Sequence, residues 1–308
     1  MKAAVIGIGS NSVRMLICAV EDGTIRRLRR DREGTRLFSG LDAQGRLSAK
    51  AMEASAAAVR RMAESARAEG CETIDLFATS ATRDAANQAD FAALLLRESG
   101  LTLEVCSGER EAALSFFGAA DGQFSGVIDI GGGSTEVIVG SGMDVRCGFS
   151  CQMGAVRLAS LLPIRDHGDL PAVQQFADAI LAEALRQHPA LTLPPQWIGT
   201  GGTFTTLAAM MKGIRWTDRT YMHGTVLPIG FIQAAARDLA DMPIEERKRL
   251  PGLQPNRADI IVHGMCILLA CMARLGMERI TVSEYGNLDG YVREKYGAGT
   301  STRFARLG

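Results

Sequence analysis

The sequence predicts a two-domain α/β protein in which each half opens on a strand, a glycine turn and a second strand. Three observations carry this. The chain has 308 residues, enough for two domains that each bury a core. Strand-like and helix-like stretches alternate along it, the pattern of α/β architecture. Finally, Ile6-Gly7-Ile8-Gly9-Ser10-Asn11-Ser12-Val13 lies over Ile128-Asp129-Ile130-Gly131 and the Gly132-Gly133-Ser134-Thr135 that follows. Both copies run on into an apolar strand, which reads as an internal duplication.

Taken in order, residues 2–8 form a strand, a Gly/Ser/Asn turn follows, and a second strand runs to Asp22-Gly23, a hairpin signal that opens a third. Met52, Val59, Met62, Ala63 and Ala66 recur at helical spacing within 48–68, and Gly70 suits the stop. A strand over 73–79, a helix over 89–97, a strand over 103–107 and a helix over 109–119 come next. Asp121-Gly122 breaks that helix and divides a first domain, 1–124, from a second, 125–288. In the second domain 126–142 repeats the opening hairpin, and from Phe149 the chain turns more helical. A Pro/Leu-rich connection at 191–195 leads to a short strand at Trp197 and Ile198, then to a third glycine turn and a helix. Helices over 229–241 and 259–275, a strand over 279–282 and a turn at Gly286 follow. The last helix, about 289–308, can pack back on the first domain.

Composition excludes some function classes. The chain carries 34 basic and 34 acidic side chains, so a dominant nucleic-acid or membrane surface is not expected. The longest apolar run, 260–275, is interrupted by His263, Gly264 and Arg274 and is too short for a bilayer span; a buried helix is expected. The start enters a strand directly, without a leader pattern. The 7 cysteines are odd in number and scattered, which reads as reduced thiols in a cytoplasmic protein. Arg26, Arg27, Arg29, Arg30, Arg32 and Arg36 form a run, but Asp31 and Glu33 interleave with it, the pattern of a solvated edge strand.

Chemistry concentrates at the glycine turns GIGSNS (7–12), GGGSTE (131–136) and GTGGTFTT (199–206). Glycine lets backbone N–H groups converge on an anion, and neighbouring hydroxyls add donors. The candidate phosphate-binding residues are Gly9, Ser10, Asn11 and Ser12; Gly131, Gly132, Gly133, Ser134 and Thr135; and Gly201, Gly202 and Thr203. No turn ends in the Gly-Lys-Ser/Thr of a Walker loop or has dinucleotide-fingerprint spacing. Asp129 ends an apolar strand, where a carboxylate needs a cation or donors, and a magnesium ion bridging phosphate oxygens fits it. Glu136 is a second carboxylate beyond the same turn. Hydrolysis needs a base to direct water, and CSGEREAAL offers Glu109 and Glu111 without choosing between them. Arg83, in ATSATRDAAN, could neutralise phosphate charge.

These residues together resemble the exopolyphosphatase and guanosine pentaphosphate phosphohydrolase (Ppx/GppA) family of the actin, Hsp70 and sugar kinase superfamily. The resemblance runs in order through GIGSNSVRML, ATSATRDAAN, EVCSGEREAAL, VIDIGGGSTEVIVG, MGAVRL, GTGGTFTTLAAM, HGTVL, ERKRLPGLQPNRADIIVHG and ITVSEYGNLDG, most of the chain. It implies two ribonuclease-H-like domains flanking a cleft. The implied activity is Mg2+-assisted release (Mn2+ being an alternative) of a terminal phosphate from inorganic polyphosphate or guanosine pentaphosphate, with a tendency to homodimerise. It implies Glu111 as the base, Asp129 as the metal-site aspartate, Glu136 as the glutamate closing the glycine hairpin, and Arg83 as the arginine of the small-residue loop. Two places depart from the family pattern. Gly7 stands where the family has Asp, and Asn287-Leu288-Asp289-Gly290 stands for Leu-Arg-Glu-Gly. Gly7 keeps a second reading open, a weakly active or non-catalytic binding protein for the same ligands.

Overall fold

A computed structural model describes residues 1–297 and 304–305. They form two compact units, Met1–Gly118 with the segment that begins at Asn287, and Ala119–Gly286.

The first unit opens on β1 (Lys2–Ile8), β2 (Val13–Glu21) and β3 (Thr24–Glu33), an antiparallel meander. Asp22 and Gly23 join β2 to β3 at φ 48 and 75, the left-handed pair that a two-residue hairpin turn requires. Next come α1 (Ala49–Ala68), β4 (Thr73–Ala78), α2 (Ser80–Arg83), α3 (Gln88–Ser99), β5 (Leu103–Val105) and α4 (Gly108–Ala119). Ser48 caps α1 by accepting from the Ala51 amide, one of the helix-start donors that otherwise lacks a partner.

The second unit repeats the meander with β6 (Ser125–Ile130), β7 (Thr135–Ser141) and β8 (Asp144–Cys151). It continues through α5 (Ala155–Leu161), α6 (Leu170–Arg186), β9 (Trp197–Thr200), α7 (Gly202–Lys212), β10 (Val226–Pro228), α8 (Ile229–Asp241), α9 (Ile244–Arg247), α10 (Ile261–Arg274) and β11 (Arg279–Val282). The chain then returns to the first unit as α11 (Asn287–Tyr296) and β12 (Phe304–Ala305).

Strand order exposes the duplication. The sheets run β12-β3-β2-β1-β4-β5 and β10-β11-β9-β6-β7-β8, so β3-β2-β1-β4-β5 and β8-β7-β6-β9-β11 are one topology used twice. The expected fold class, two mixed-sheet α/β domains of ribonuclease-H-like order, is what the structure shows. In the second unit α10 is buried from Ile261 through Met272, as its apolar run predicts. No described helix is long and apolar enough to cross a membrane. All 7 cysteines are free, and burial first, then the Asp289 charge, pushes the Cys18 thiol up to about 12.

Two expectations need correction. The last helix, expected over about 289–308, ends at Tyr296. Phe304–Ala305 pair instead with β3 at Ile25 and Arg26, which satisfies backbone groups on an otherwise open edge; 298–303 and 306–308 lie outside the described residues. The arginine run is only in part a solvated face: Arg26, Arg29 and Arg36 are exposed, but others turn inward. Arg27 is buried, with Nε 2.7 Å from Asp289 Oδ1, and Arg30 reaches Asp289 Oδ2 at 2.8 Å. A carboxylate on α11 therefore draws two of the arginines inward.

That packing presses α11 onto α4. A Cβ on Gly290 would run into the Leu114 carbonyl and come within 3.0 Å of the Gly118 amide, while Arg293 donates to the Phe117 carbonyl at 3.0 Å. Gly290→Ala is expected to destabilise the protein by about 1–3 kcal/mol, the usual cost of overpacking. A denaturant midpoint equal to wild type would show that the two helices are not held this closely.

Candidate active site

In the first unit α4 carries both candidate bases, and the geometry treats them differently. Glu109 is exposed in the first turn, and its own backbone amide and then the Ser107 hydroxyl hold its carboxyl below the usual range; it serves the helix start. Glu111 is only 6% exposed. Its Oε2 accepts from Arg83 Nη1 at 2.9 Å, and the same Nη1 donates to the Cys106 carbonyl at 3.1 Å. Arg83 ends the short α2 just after β4, so strand, helix and carbonyl fix the guanidinium that fixes the carboxylate.

The first hairpin, between β1 and β2, closes with the Gly9 amide on the Ser12 carbonyl at 3.0 Å. Its carbonyls face inward: Ser10 O accepts from the Phe38 amide at 2.9 Å and Asn11 O from Arg36 at 3.2 Å. The hydroxyls are engaged too, Ser10 with Ser80 at 3.0 Å and Ser12 with Arg32 Nε at 3.2 Å. Among the described residues no backbone acceptor meets the amides of Ser10, Asn11 or Ser12. Arg14 lies beside this turn, its Nη2 3.7 Å from where a Gly9 Cβ would be and 3.2 Å from Asn287 Oδ1.

The second hairpin has the same build. The Gly131 amide meets the Ser134 carbonyl at 3.0 Å, and the start of α5 takes up the other carbonyls: Gly131 O accepts from Ala155, and Gly132 O from Val156 and Arg157. Gly133 O accepts from Arg157 Nε at 2.7 Å. A Cβ on Gly154 would strike the Gly132 and Gly133 backbone, so α5 can press on this loop only because residue 154 is glycine. Among the described residues the amides of Gly132, Gly133 and Ser134 meet no backbone acceptor. Backbone N–H groups left over when the carbonyls turn away form an anion cradle. The Thr135 hydroxyl is not a donor to it, because that hydroxyl donates to the Met153 carbonyl.

Asp129 and Glu136 stand directly opposite one another on β6 and β7. They are 9% and 1% exposed, and Glu136 Oε1 accepts from Ser150 Oγ at 2.7 Å. Like charges directly across a strand pair repel, so this pair suits a shared cation. The third turn closes on it: Gly201 sits at φ +96, and a Cβ there would come 2.7 Å from Asp129 Oδ1 and 2.9 Å from the Ile130 carbonyl. The N-terminus of α7 is thereby held against Asp129. Gly202 opens α7 with the Arg257 guanidinium packed on its Cα, and Thr203 is buried against Gly264. The donor set is hard oxygen, which fits Mg2+ or Mn2+. Among the described residues no three His, Cys, Asp or Glu side chains cluster to hold a metal. Mg2+ in phosphate sites characteristically takes one or two carboxylates and completes its shell with water and substrate oxygens.

Sequence reasoning missed Arg14 and Arg257. Both lie in motif-bearing stretches, but only cross-strand register and the approach to Gly202 show that they reach the glycine turns.

Comparison with known proteins agrees with this architecture. The model of the Ppx/GppA phosphatase family matches residues 16–297. The chain is 33% identical over 312 residues to exopolyphosphatase 2 of Mycobacterium tuberculosis, covering 94% of this chain and 97% of that protein. It is 31% identical to a guanosine-5'-triphosphate,3'-diphosphate pyrophosphatase of Vibrio cholerae, covering 94% of this chain and 58% of that longer protein. The solved Aquifex aeolicus PPX-GPPA enzyme superposes with a TM-score of 0.81 at 29% identity, over 96% of this chain and 99% of that one. With two ribonuclease-H-like units, the glycine hairpins and a family match that spans both, the chain belongs to the Ppx/GppA phosphatase family.

Proposed function

We propose that the protein releases the terminal phosphate of inorganic polyphosphate or of guanosine pentaphosphate by attack of water. The observation that carries this is the paired arrangement in the second unit. Hairpin amides with no backbone acceptor offer donors to phosphate oxygens, and the Asp129–Glu136 pair beside them offers hard oxygens to a divalent cation. Such a cation would place positive charge on the phosphate oxygens as the reaction proceeds.

The chain's own groups do the rest. Glu111 accepts the proton of the attacking water while its oxygen bonds to the terminal phosphorus and the bridging P–O bond breaks. Orthophosphate and a chain one unit shorter leave. Arg83 fixes Oε2 of Glu111, so the carboxylate is positioned before water arrives. The α7 N-terminus and Arg257 at Gly202 add donors for phosphate.

The direct test is orthophosphate release from long-chain polyphosphate, guanosine pentaphosphate and ATP, each with Mg2+ and with Mn2+. Turnover of about 1 per second or faster on either of the first two fits an ordinary enzyme. Binding without release under every condition favours the non-catalytic reading that Gly7 raises.

A further inference from the structure

A neutral side chain on β8 ties the acidic pair of the second unit to the rest of its sheet. Strand alternation sends Ile128, Ile130, Val137, Phe149 and Cys151 into one core cluster. Asp129, Glu136 and Ser150 therefore share the opposite face. Register sets them in a row across three adjacent strands: Asp129 stands opposite Glu136 on β6 and β7, and Glu136 opposite Ser150 on β7 and β8. The matching row on β1, β2 and β3 reads Gly7, Arg14 and Arg32 and holds no carboxylate. Of the two rows, that of the second unit is the one suited to a cation.

Ser150 is the donor of this row. Its hydroxyl gives a hydrogen bond of 2.7 Å to Oε1 of Glu136, a residue only 1% exposed. Such a bond to a charged acceptor is roughly twice as strong as a neutral one. It fixes the last torsion of the glutamate, which is otherwise broad and two-fold. That torsion decides where the carboxylate oxygens lie, and Mg2+ demands near-ideal octahedral geometry from its oxygens. Packing alone requires no hydroxyl at this half-buried position; the carboxylate does.

We propose that Ser150 is a positioning residue that orients Glu136 for the divalent cation and so sets the affinity for it. The inference rests on the reading of Asp129 and Glu136 as the cation site, and its test reads metal binding rather than turnover. Mg2+ and Mn2+ are titrated into the full chain calorimetrically, and the melting shift is taken relative to the same variant in EDTA. Ser150→Ala and Ser150→Val are expected to bind either ion about 10–100-fold more weakly, the usual effect of losing a group that holds a metal ligand in place. Ser150→Thr has the shape of the valine variant but keeps the hydroxyl, and is expected to bind as wild type does. In Glu136→Gln, adding Ser150→Ala is expected to weaken binding no further, because the hydroxyl acts through that carboxylate. A serine that merely supports the fold would lower the melting point in EDTA and leave the metal affinity alone. Should the two β-branched variants unfold, Ser150→Ala and its combination with Glu136→Gln decide. Wild-type affinity in Ser150→Ala, a threonine variant no better than valine, or additive losses with Glu136→Gln overturns the role of Ser150 while the cation site stands. Absence of metal binding by wild type overturns the cation site itself and the role of Ser150 with it. Serine-dependent metal binding without phosphate release from any substrate overturns the hydrolase reading alone.

Discussion

Glu111→Gln is expected to lower phosphate release from long-chain polyphosphate by about 10²–10⁴-fold, the usual contribution of a positioned general base, while the substrate still binds. The amide keeps the shape of the carboxylate and can still accept from Arg83 Nη1, now 2.9 Å from Oε2. It cannot take a proton from water at neutral pH. The fall therefore belongs in kcat, with KM little changed, because the ground-state contacts to phosphate come from other residues. The control is Glu109→Gln two residues earlier: that side chain is exposed at the helix start, so turnover should stay near wild type. Wild-type kcat in Glu111→Gln would remove the residue from the mechanism. Loss of stability in the same variant would point to Arg83, whose half-buried charge loses the nearer of its two carboxylates, Asp84 remaining at 3.8 Å, and a melting curve separates the two.

The contrast between these glutamates shows what the sequence could disclose. The duplication was legible because strand, glycine turn and strand are local patterns, and the second copy repeats the first closely enough to align Gly9 with Gly131 and Ser12 with Ser134; the structure closes both turns with the same amide-to-carbonyl bond. Helix α1 was legible from its apolar spacing and its stop at Gly70. Partners distant in sequence were not. Arg27 looked solvated because its acid, Asp289, lies 262 residues away. Arg257 was not singled out at all, and only the fold lays it on Gly202. Thr135 read as a phosphate donor from its place in the turn, yet strand pairing directs its hydroxyl to Met153. For Arg27 and Thr135 the local pattern named the strand and the turn correctly, and in all three cases a contact made only after folding set the role of the side chain.

Asp129→Asn carries the other large effect. Wild-type protein at Mg2+ or Mn2+ concentrations near 100 times the dissociation constant should gain about 2.7 kcal/mol from binding, seen as a melting shift of several degrees relative to EDTA. Asp129→Asn should show no such shift, and phosphate release should fall by at least about 10²-fold, as it does when a group that stabilises transition-state charge is lost. Asparagine has nearly the volume of aspartate, so the close approach of Gly201 to this side chain, with its Cβ position 2.7 Å from Oδ1, is preserved and folding is not the variable. Glu136→Gln, across the strand pair and bonded to Ser150 at 2.7 Å, should weaken the shift as well. The double variant should lose no more than Asp129→Asn alone, because both carboxylates act on one ion. Additive losses would mean that the two acids serve different sites, and an undiminished melting shift in Asp129→Asn would place the cation elsewhere on the protein.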